Sequence, residues 1–388
     1  MTPAARYAAA IEVLDRIVAG DPAEPALIHW ARSHRFAGSG DRAAIRDHVY
    51  DVLRARRSLA VRGGGGTGRA LVLGLLRRDG IDPQTVFGTG GHAPAALTAT
   101  EAAFPDTPPS DPERADLPDW LWPMWQEALG ADAMAAATLM QQRASLHLRV
   151  ALSRGSRETA QARLLTDGIA TAPHPQVATG LIVLDHPRRV AGSAAFAEGL
   201  VEVQDAASQI AVAALPLRPG LRVLDYCAGG GGKALAMADR TGGPVWAHDI
   251  DAARMKDIPA RAARAGVTAN ILTSEALTAA APFDLVFCDA PCSGSGTWRR
   301  TPDAKWRLTP ERLRDLNAVQ ADVLARGAAL CGDRGTLAYA TCSVLPAEND
   351  AIVDGFLSQH PDWSRAQVLR LPPHALHDGF FLAVLTRG

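Results

Sequence analysis

The stretch LRVLDYCAGGGGKALAMADR, residues 221–240, drives an apolar strand-like run into four consecutive glycines and leaves them through an alanine-rich helical pattern. Strand, glycine turn and helix in that order open a doubly wound sheet, whose ligands sit outside the carboxyl ends of the strands. Glycines at such a tip let the backbone approach a ligand closely, and the helix is expected to begin near Lys233. The next strand-like segment, PVWAHD, ends on Asp249, 17 residues after Gly232, where a carboxylate can accept both hydroxyls of a ribose. A nucleoside-containing cofactor is implied. Nicotinamide nucleotides and S-adenosylmethionine both satisfy these two features.

The same alternation continues to the end of the chain. AARMKDIPARAARAG reads as a helix, ANILT and FDLVFCD as strands, 309–331 as a helix, TLAYATC as a strand, 346–359 as a helix and FFLAVLTR as a last strand. Residues 201–388 are therefore expected to form one α/β domain with a doubly wound sheet.

The fourth strand separates the two cofactor classes. FCDAPCSGSGTWRR (287–300) places Asp289 and Cys292 at a strand tip, and TLAYATCSV (336–344) leaves Cys342 at another. Hydride transfer needs neither group. Methylation at cytosine carbon 5 needs both, because that carbon is a poor nucleophile until a thiolate adds to carbon 6 and a hydrogen bond or proton reaches ring nitrogen 3. The carbon-5 proton must then leave and the carbon–sulfur bond must break, a step that a second nearby thiol can assist.

Composition bounds the rest. At 388 residues and 47% hydrophobic content, the chain suits about two or three packed domains. Charges at Arg6, Glu12, Asp15 and Arg16 interrupt the first twenty residues where a signal peptide needs an apolar core, and no charge-free run is long enough to span a bilayer, so a cytoplasmic protein is expected. The five cysteines, at 227, 288, 292, 331 and 342, show neither a disulfide framework nor zinc-ribbon spacing, and no metal is expected. Net charge is −1, yet residues 42–78 hold nine arginines against Asp47 and Asp51. Only three lysines occur, Lys233, Lys256 and Lys305, so a lysine inside a motif is informative.

Residues 1–104 show helical spacing (Ile11, Leu14, Ile17, Val18; Ile45, Val49, Val52, Leu53) and form the first expected domain. RGGGGTGRA at 62–70 lacks the Gly-Lys-Ser/Thr ending of a phosphate loop and reads as a flexible connection. FPDTPPSDPERADLP at 104–118 reads as a linker. A tryptophan-rich helix at 119–129 then leads into LHLRVAL, a helix, and GLIVLD, a small α+β module that closes an expected middle domain over 118–200.

EVQDAASQ (202–209), DYCAGGGGK (225–233), FDLVFCDAPCSGSGTWRRTPDAKW (283–306), YATCSVLPAEND (339–350) and DGFFLAVLTR (378–387) together resemble the RsmB/Sun family of RNA cytosine-5 methyltransferases, closest to its bacterial RsmB branch. The resemblance implies a multidomain chain with a helical NusB-like RNA-binding domain, a small α+β module and a Rossmann-like methyltransferase domain built on a mixed sheet. It implies S-adenosylmethionine as cofactor, held by Cys227, Ala228, Gly229, Gly230, Gly231, Gly232, Lys233, Asp249 and Asp289. It implies Cys342 as nucleophile, Cys292 as the thiol of product release, and Asp289 as a group that also serves the base. The expected substrate is small-subunit (16S) ribosomal RNA or an assembly intermediate of that subunit, acted on by a monomer. A transfer-RNA enzyme and a non-catalytic RNA-binding factor with a vestigial methyltransferase domain are the alternatives.

Three positions depart from the family pattern: GGGG stands for the commoner Ala-Pro-Gly-Gly turn, TSEAL offers only Glu275 after the third strand, and Ala151 stands where Asn is common. On the same resemblance the arginine cluster, with Arg299, Arg300 and Lys305, is expected to meet RNA phosphates.

Overall fold

The computed structural model describes residues 1–103 and 108–388. The expected linker begins in 104–107, outside the described residues; beyond it, Asp111–Arg114 forms a single helical turn. The chain divides into two compact units, one of residues 1–143 with 298–307, the other of residues 144–297 with 308–388. The tryptophan-rich helix Trp122–Leu129 thus joins the amino-terminal helices, whereas the expected middle domain grouped it with the small sheet.

In the first unit five helices enclose a core: α1 (Pro3–Val18), α2 (Ala23–Ser33), α3 (Ser39–Arg54), α4 (Arg56–Gly63) and α5 (Gly68–Arg78). Ala9, Ala10, Val13, Leu14 and Ile17 recur on one face of α1 and are buried with Ile45, Val49, Val52 and Leu53 of α3. Thr2 and Thr67 cap α1 and α5 by accepting the Ala5 and Ala70 amides, each at 3.2 Å. A Cβ at Gly74 would collide with the Leu59 carbonyl, so glycine allows α4 and α5 to pack backbone to backbone.

This unit corrects the reading of the arginines. Arg54 is buried, donating from Nε to the Arg299 carbonyl at 2.7 Å and from Nη1 to Asp51 at 2.9 Å. Arg57 is bound to Asp119 (2.6 Å) and the Leu117 carbonyl (2.7 Å), and Arg56 lies over the Trp306 ring. Arg299 and Lys305 are 2% and 1% exposed. Lys305 Nζ donates to the Arg54 carbonyl at 3.3 Å, and burial pulls its pKa down to about 8. Arg54, Arg56 and Lys305 tie the segment 298–307 to the helices, and Arg54, Arg299 and Lys305 are too buried to meet a phosphate. Arg42, Arg46 and Arg78 of the cluster are exposed.

The second unit contains two sheets. A four-stranded antiparallel sheet runs β2 (Thr171–Pro173), β3 (Gly180–Val183), β1 (His147–Val150), β4 (Val201–Val203). Its edge strand β4 carries this sheet past residue 200, where the expected domain boundary fell. The seven-stranded sheet runs β10 (Trp363–Leu371), β11 (Phe380–Arg387), β9 (Cys331–Thr341), β8 (Phe283–Asp289), β5 (Val223–Asp225), β6 (Val245–Ala247), β7 (Ala269–Ile271). The strands from β9 through β7 are parallel, while β11 and β10 are antiparallel additions, so the sheet is mixed. Apolar side chains on both faces, such as Leu285 and Phe287 on one and Val286 and Cys288 on the other, account for the continuous apolar runs. The strand order reverses between β5 and β8, and their carboxyl ends form the crevice where such folds bind ligands.

Candidate active site

The glycine turn is built by its own backbone. Tyr226 N donates to the Phe287 carbonyl and Ala228 N to the His248 carbonyl, each at 2.8 Å, joining the tips of β5, β8 and β6. Gly231 has φ +81°, and a Cβ there would lie 2.7 Å from Ile258 Cγ1, so the turn needs glycine on two counts. Gly232 opens the helix Gly232–Thr241, one residue before the expected start at Lys233.

Lys233 reaches from that helix to β8, donating from Nζ to Asp289 Oδ2 at 2.7 Å. Burial opposes its charge, but the Asp289 ion pair outweighs burial and its pKa rises. Asp225, at the tip of β5, is 1% exposed, and neither of its oxygens makes a hydrogen bond. Burial, reinforced by repulsion from Asp289, pushes its pKa up to about 8. In the sequence Asp225 looks like one more polar residue at a strand tip, and gives no sign of this.

Asp249 ends the segment after β6 and is buried. Its Oδ2 accepts from Gly229 N at 2.9 Å and from Arg254 Nη1 at 3.0 Å, while Oδ1 accepts from Asp251 N at 3.0 Å. It therefore braces the glycine turn as well as lining the crevice. His248 beside it bridges the Tyr226 carbonyl (2.9 Å) and Ser274 Oγ (3.1 Å). Glu275 is exposed and away from this bonding.

The two strand-tip thiols meet. Cys292 Sγ and Cys342 Sγ are 3.4 Å apart although fifty residues separate them in the chain. Their acidities diverge: the hydrogen bond to Cys342, with burial, pushes the Cys292 thiol well up, while the same bond lowers Cys342 against the opposing effects of burial and Asp289, with Lys233 assisting. Of the two, Cys342 is therefore the more acidic thiol and Cys292 the less acidic. Cys227 is held up by burial and by neighbouring Asp225, and Cys288 is fully buried packing in the sheet. All five cysteines are free.

Around the thiols lies a polar cluster that motif reading missed. Ser293 and Ser343, each next to a cysteine, both donate a hydroxyl to Glu348, a fully buried carboxylate. Thr341 Oγ1 donates to Asn349 Oδ1 at 2.6 Å, and Asn349 Nδ2 to the Ser343 carbonyl at 2.9 Å.

The crevice fits S-adenosylmethionine. A buried acid without a hydrogen bond, Asp225, lies at the glycine turn beside Asp249 and Asp289, whose charges Arg254 and Lys233 balance. A cationic ligand there favours the ionised form of Asp225 and gives it a partner. Among the described residues no three His, Cys, Asp or Glu side chains converge on a metal position, and no helix is long and apolar enough to cross a membrane.

The family model of 16S rRNA methyltransferase RsmB/F matches residues 212–386, and that of the RsmF/B-like ferredoxin-like domain matches residues 117–191. The ribosomal RNA small subunit methyltransferase B of Vibrio cholerae is 34% identical over 290 residues, covering 71% of this chain and 67% of that protein. The probable counterpart of Synechocystis is 31% identical over 302 residues, covering 71% and 68%. The aligned segment spans about two thirds of these relatives. Among solved structures, PH0851 is similar at a TM-score of 0.76 over 99% of both chains with 23% identity, and NSun6 from Pyrococcus horikoshii at 0.61 over 70% of this chain and 98% of that one with 17% identity. These two likenesses establish the fold. The sequence relationships go further, and by them the chain belongs to the RsmB/F family of 16S rRNA methyltransferases.

Proposed function

We propose that this protein methylates carbon 5 of a cytosine in RNA, small-subunit ribosomal RNA in particular, by way of a covalent bond between Cys342 and carbon 6. One observation carries the reading: two thiols 3.4 Å apart whose acidities are driven in opposite directions.

Each group then has one task. The Cys342 thiolate adds to carbon 6 while Asp289, held by Lys233, serves the ring nitrogen, so that the ring electrons move to carbon 5. S-adenosylmethionine supplies the methyl group. A base removes the carbon-5 proton, the carbon–sulfur bond breaks, and the electron pair returns to Cys342, with Cys292 assisting this elimination by proton transfer. The residues 227–233, Asp249 and Asp289 hold the cofactor, Asp249 through its ribose. The target base must leave its stack for both faces of carbons 5 and 6 to be reached, at a cost of a few kcal/mol.

The amino-terminal helical domain, 1–104, fits a NusB-like RNA-binding role, with the exposed Arg42, Arg46 and Arg78 available to phosphates. The protein acts as a cytoplasmic monomer in this reading, on rRNA or a subunit assembly intermediate. The test is transfer of labelled methyl from S-adenosylmethionine to protein-free 16S rRNA, with bulk transfer RNA alongside. Label on transfer RNA alone replaces the substrate, and no label on either replaces the enzyme by an RNA-binding factor.

A further inference from the structure

Cys292 follows β8 and Cys342 follows β9, so no covalent geometry brings the two sulfur atoms together. The structure assigns that task to Glu348: we infer that its carboxylate is the positioning group that clamps the two thiol-bearing loops to each other. This rests on the methylation reading above, which gives the two thiols successive roles in one covalent cycle.

The clamp has four donors. Glu348 Oε1 accepts from Ser293 N at 2.7 Å and from Gln320 Nε2 at 3.0 Å, and Oε2 accepts the hydroxyls of Ser293 and Ser343. Ser293 follows Cys292 and Ser343 follows Cys342, so a single carboxylate oxygen bridges the residues next to both thiols. Gln320 also donates to the Pro291 carbonyl at 2.9 Å, fixing the residue before Cys292. Gly296 N donates to the Cys342 carbonyl, and Ser295 Oγ bonds Ser343 Oγ at 2.8 Å, so the first loop is laid along the second. Glu348 is itself held, its carbonyl accepting from Tyr339 OH at 2.7 Å.

A carboxylate matches this place best. It is acceptor-only with about four lone-pair sites, which matches four donors, while a glutamine turns an NH2 toward two of them. In the tolerable orientation that NH2 faces the two hydroxyls, which can rotate to accept, and the backbone N–H keeps its acceptor. Glutamine therefore preserves much of the clamp and alanine none. No ion-pair partner of Glu348 occurs among the described residues, so its charge is carried by hydrogen bonds alone, an arrangement that packing does not require. Glu348 also adds to the rise in the Cys292 pKa, after the contact with Cys342 and burial.

The test compares Glu348→Ala, Glu348→Gln and the double variant Ser293→Ala/Ser343→Ala with the wild type in four measurements. They are calorimetric affinity for S-adenosylhomocysteine, thermal melting, iodoacetamide alkylation of Cys342 across pH followed by mass spectrometry, and single-turnover methylation of 16S rRNA. Glu348→Ala is expected to keep cofactor affinity within about twofold, to slow methylation about 100-fold as expected of misplaced reacting groups, and to move the Cys342 alkylation profile to higher pH as the Cys292 donor withdraws. Asp289 and Lys233, which also face Cys342, remain in place and give the reference. Glu348→Gln should recover most of the loss, and the serine pair should reproduce it if the alanine variant fails to fold. An alkylation profile identical to wild type overturns the proposal. So does a loss of rate that tracks lost affinity and melting temperature and that glutamine fails to restore. If the wild type methylates no RNA, the methylation reading fails, while the alkylation profiles still decide the role of Glu348.

Discussion

The Sγ atoms of Cys292 and Cys342 lie 3.4 Å apart, and their contact raises the pKa of the first while lowering that of the second. Removing either thiol should therefore stop the cycle at a different point. Cys342→Ala is expected to form no RNA adduct and no product, while Cys292→Ala accumulates an adduct that survives denaturing electrophoresis. Adding Cys342→Ala to the second variant should abolish that band. An adduct in Cys342→Ala that disappears with Cys292 would exchange the two roles.

The same separation makes the pair oxidisable. Diamide, an azo oxidant that takes up two electrons and two protons, should convert both thiols into one intramolecular disulfide. The expected readout is loss of two titratable thiols per chain together with all methylation, both restored by dithiothreitol. Mass spectrometry that finds Cys227 or Cys288 in the bridge would refute it.

Asp249→Ala should weaken cofactor binding by about 1.5–3 kcal/mol through loss of a charge-assisted acceptor. Arg254→Ala separates two explanations, because Arg254 occupies Asp249 Oδ2 at 3.0 Å. If Asp249 serves the ribose, freeing that oxygen leaves affinity equal or higher. A matching loss in both variants, measured by calorimetry, would instead make the Asp249–Arg254 pair a structural brace.

Asp225, pushed up to about 8 from the ordinary carboxylate range, holds its proton in the folded chain where the unfolded chain has lost it. Stability should then fall as pH rises through that window, by at most about 1.4 kcal/mol per unit, and level off above it. Asp225→Asn removes this dependence, so its melting advantage over wild type should grow between about pH 5 and pH 8. An advantage constant with pH would refute the assignment. Binding of cationic S-adenosylmethionine near neutral pH should expel the proton, giving calorimetric heats that depend on buffer ionisation.

Reversing Arg54, Arg56 and Arg57 to Glu should unfold the helical unit before it reports anything about RNA. Arg54→Glu alone places a buried carboxylate beside Asp51 and the Arg299 carbonyl, a loss of about 3–5 kcal/mol by removal of a buried partner. Arg42→Glu, at an exposed position, should leave melting unchanged. Equal melting of the Arg54 variant and wild type would contradict the packing described.

Legibility followed burial and distance along the chain. Strands β5, β8 and β9 announce themselves because both faces are covered along their apolar stretches, Val223–Leu224, Leu285–Cys288 and Leu337–Ala340. Strand β10 went unread: most of its side chains face solvent, and Ser364, Arg365, Gln367 and Arg370 conceal the strand period. The glycine turn, Asp249, Asp289 and both strand-tip cysteines are local signals, visible within a dozen residues. Glu348 is not, since its meaning depends on Ser293, 55 residues away, and Gln320, 28 away. Lys305 and Arg299 look like solvated charges in any window of sequence, and only the helices around them reveal otherwise.

The segment Trp298–Arg307 completes the amino-terminal unit, with the Trp298 ring stacked on Trp125 and Lys305 buried against Arg54. That order has a consequence for the nascent chain. Residue 143 leaves the ribosome 164 residues before residue 307, an interval of about 8 to 33 seconds at about 5–20 residues per second. During it the first helices wait with Trp125 uncovered, and most strands of the seven-stranded sheet emerge before their core can close. A chain released before residue 307 leaves that core unfinished, so the helical unit is made first but finished late.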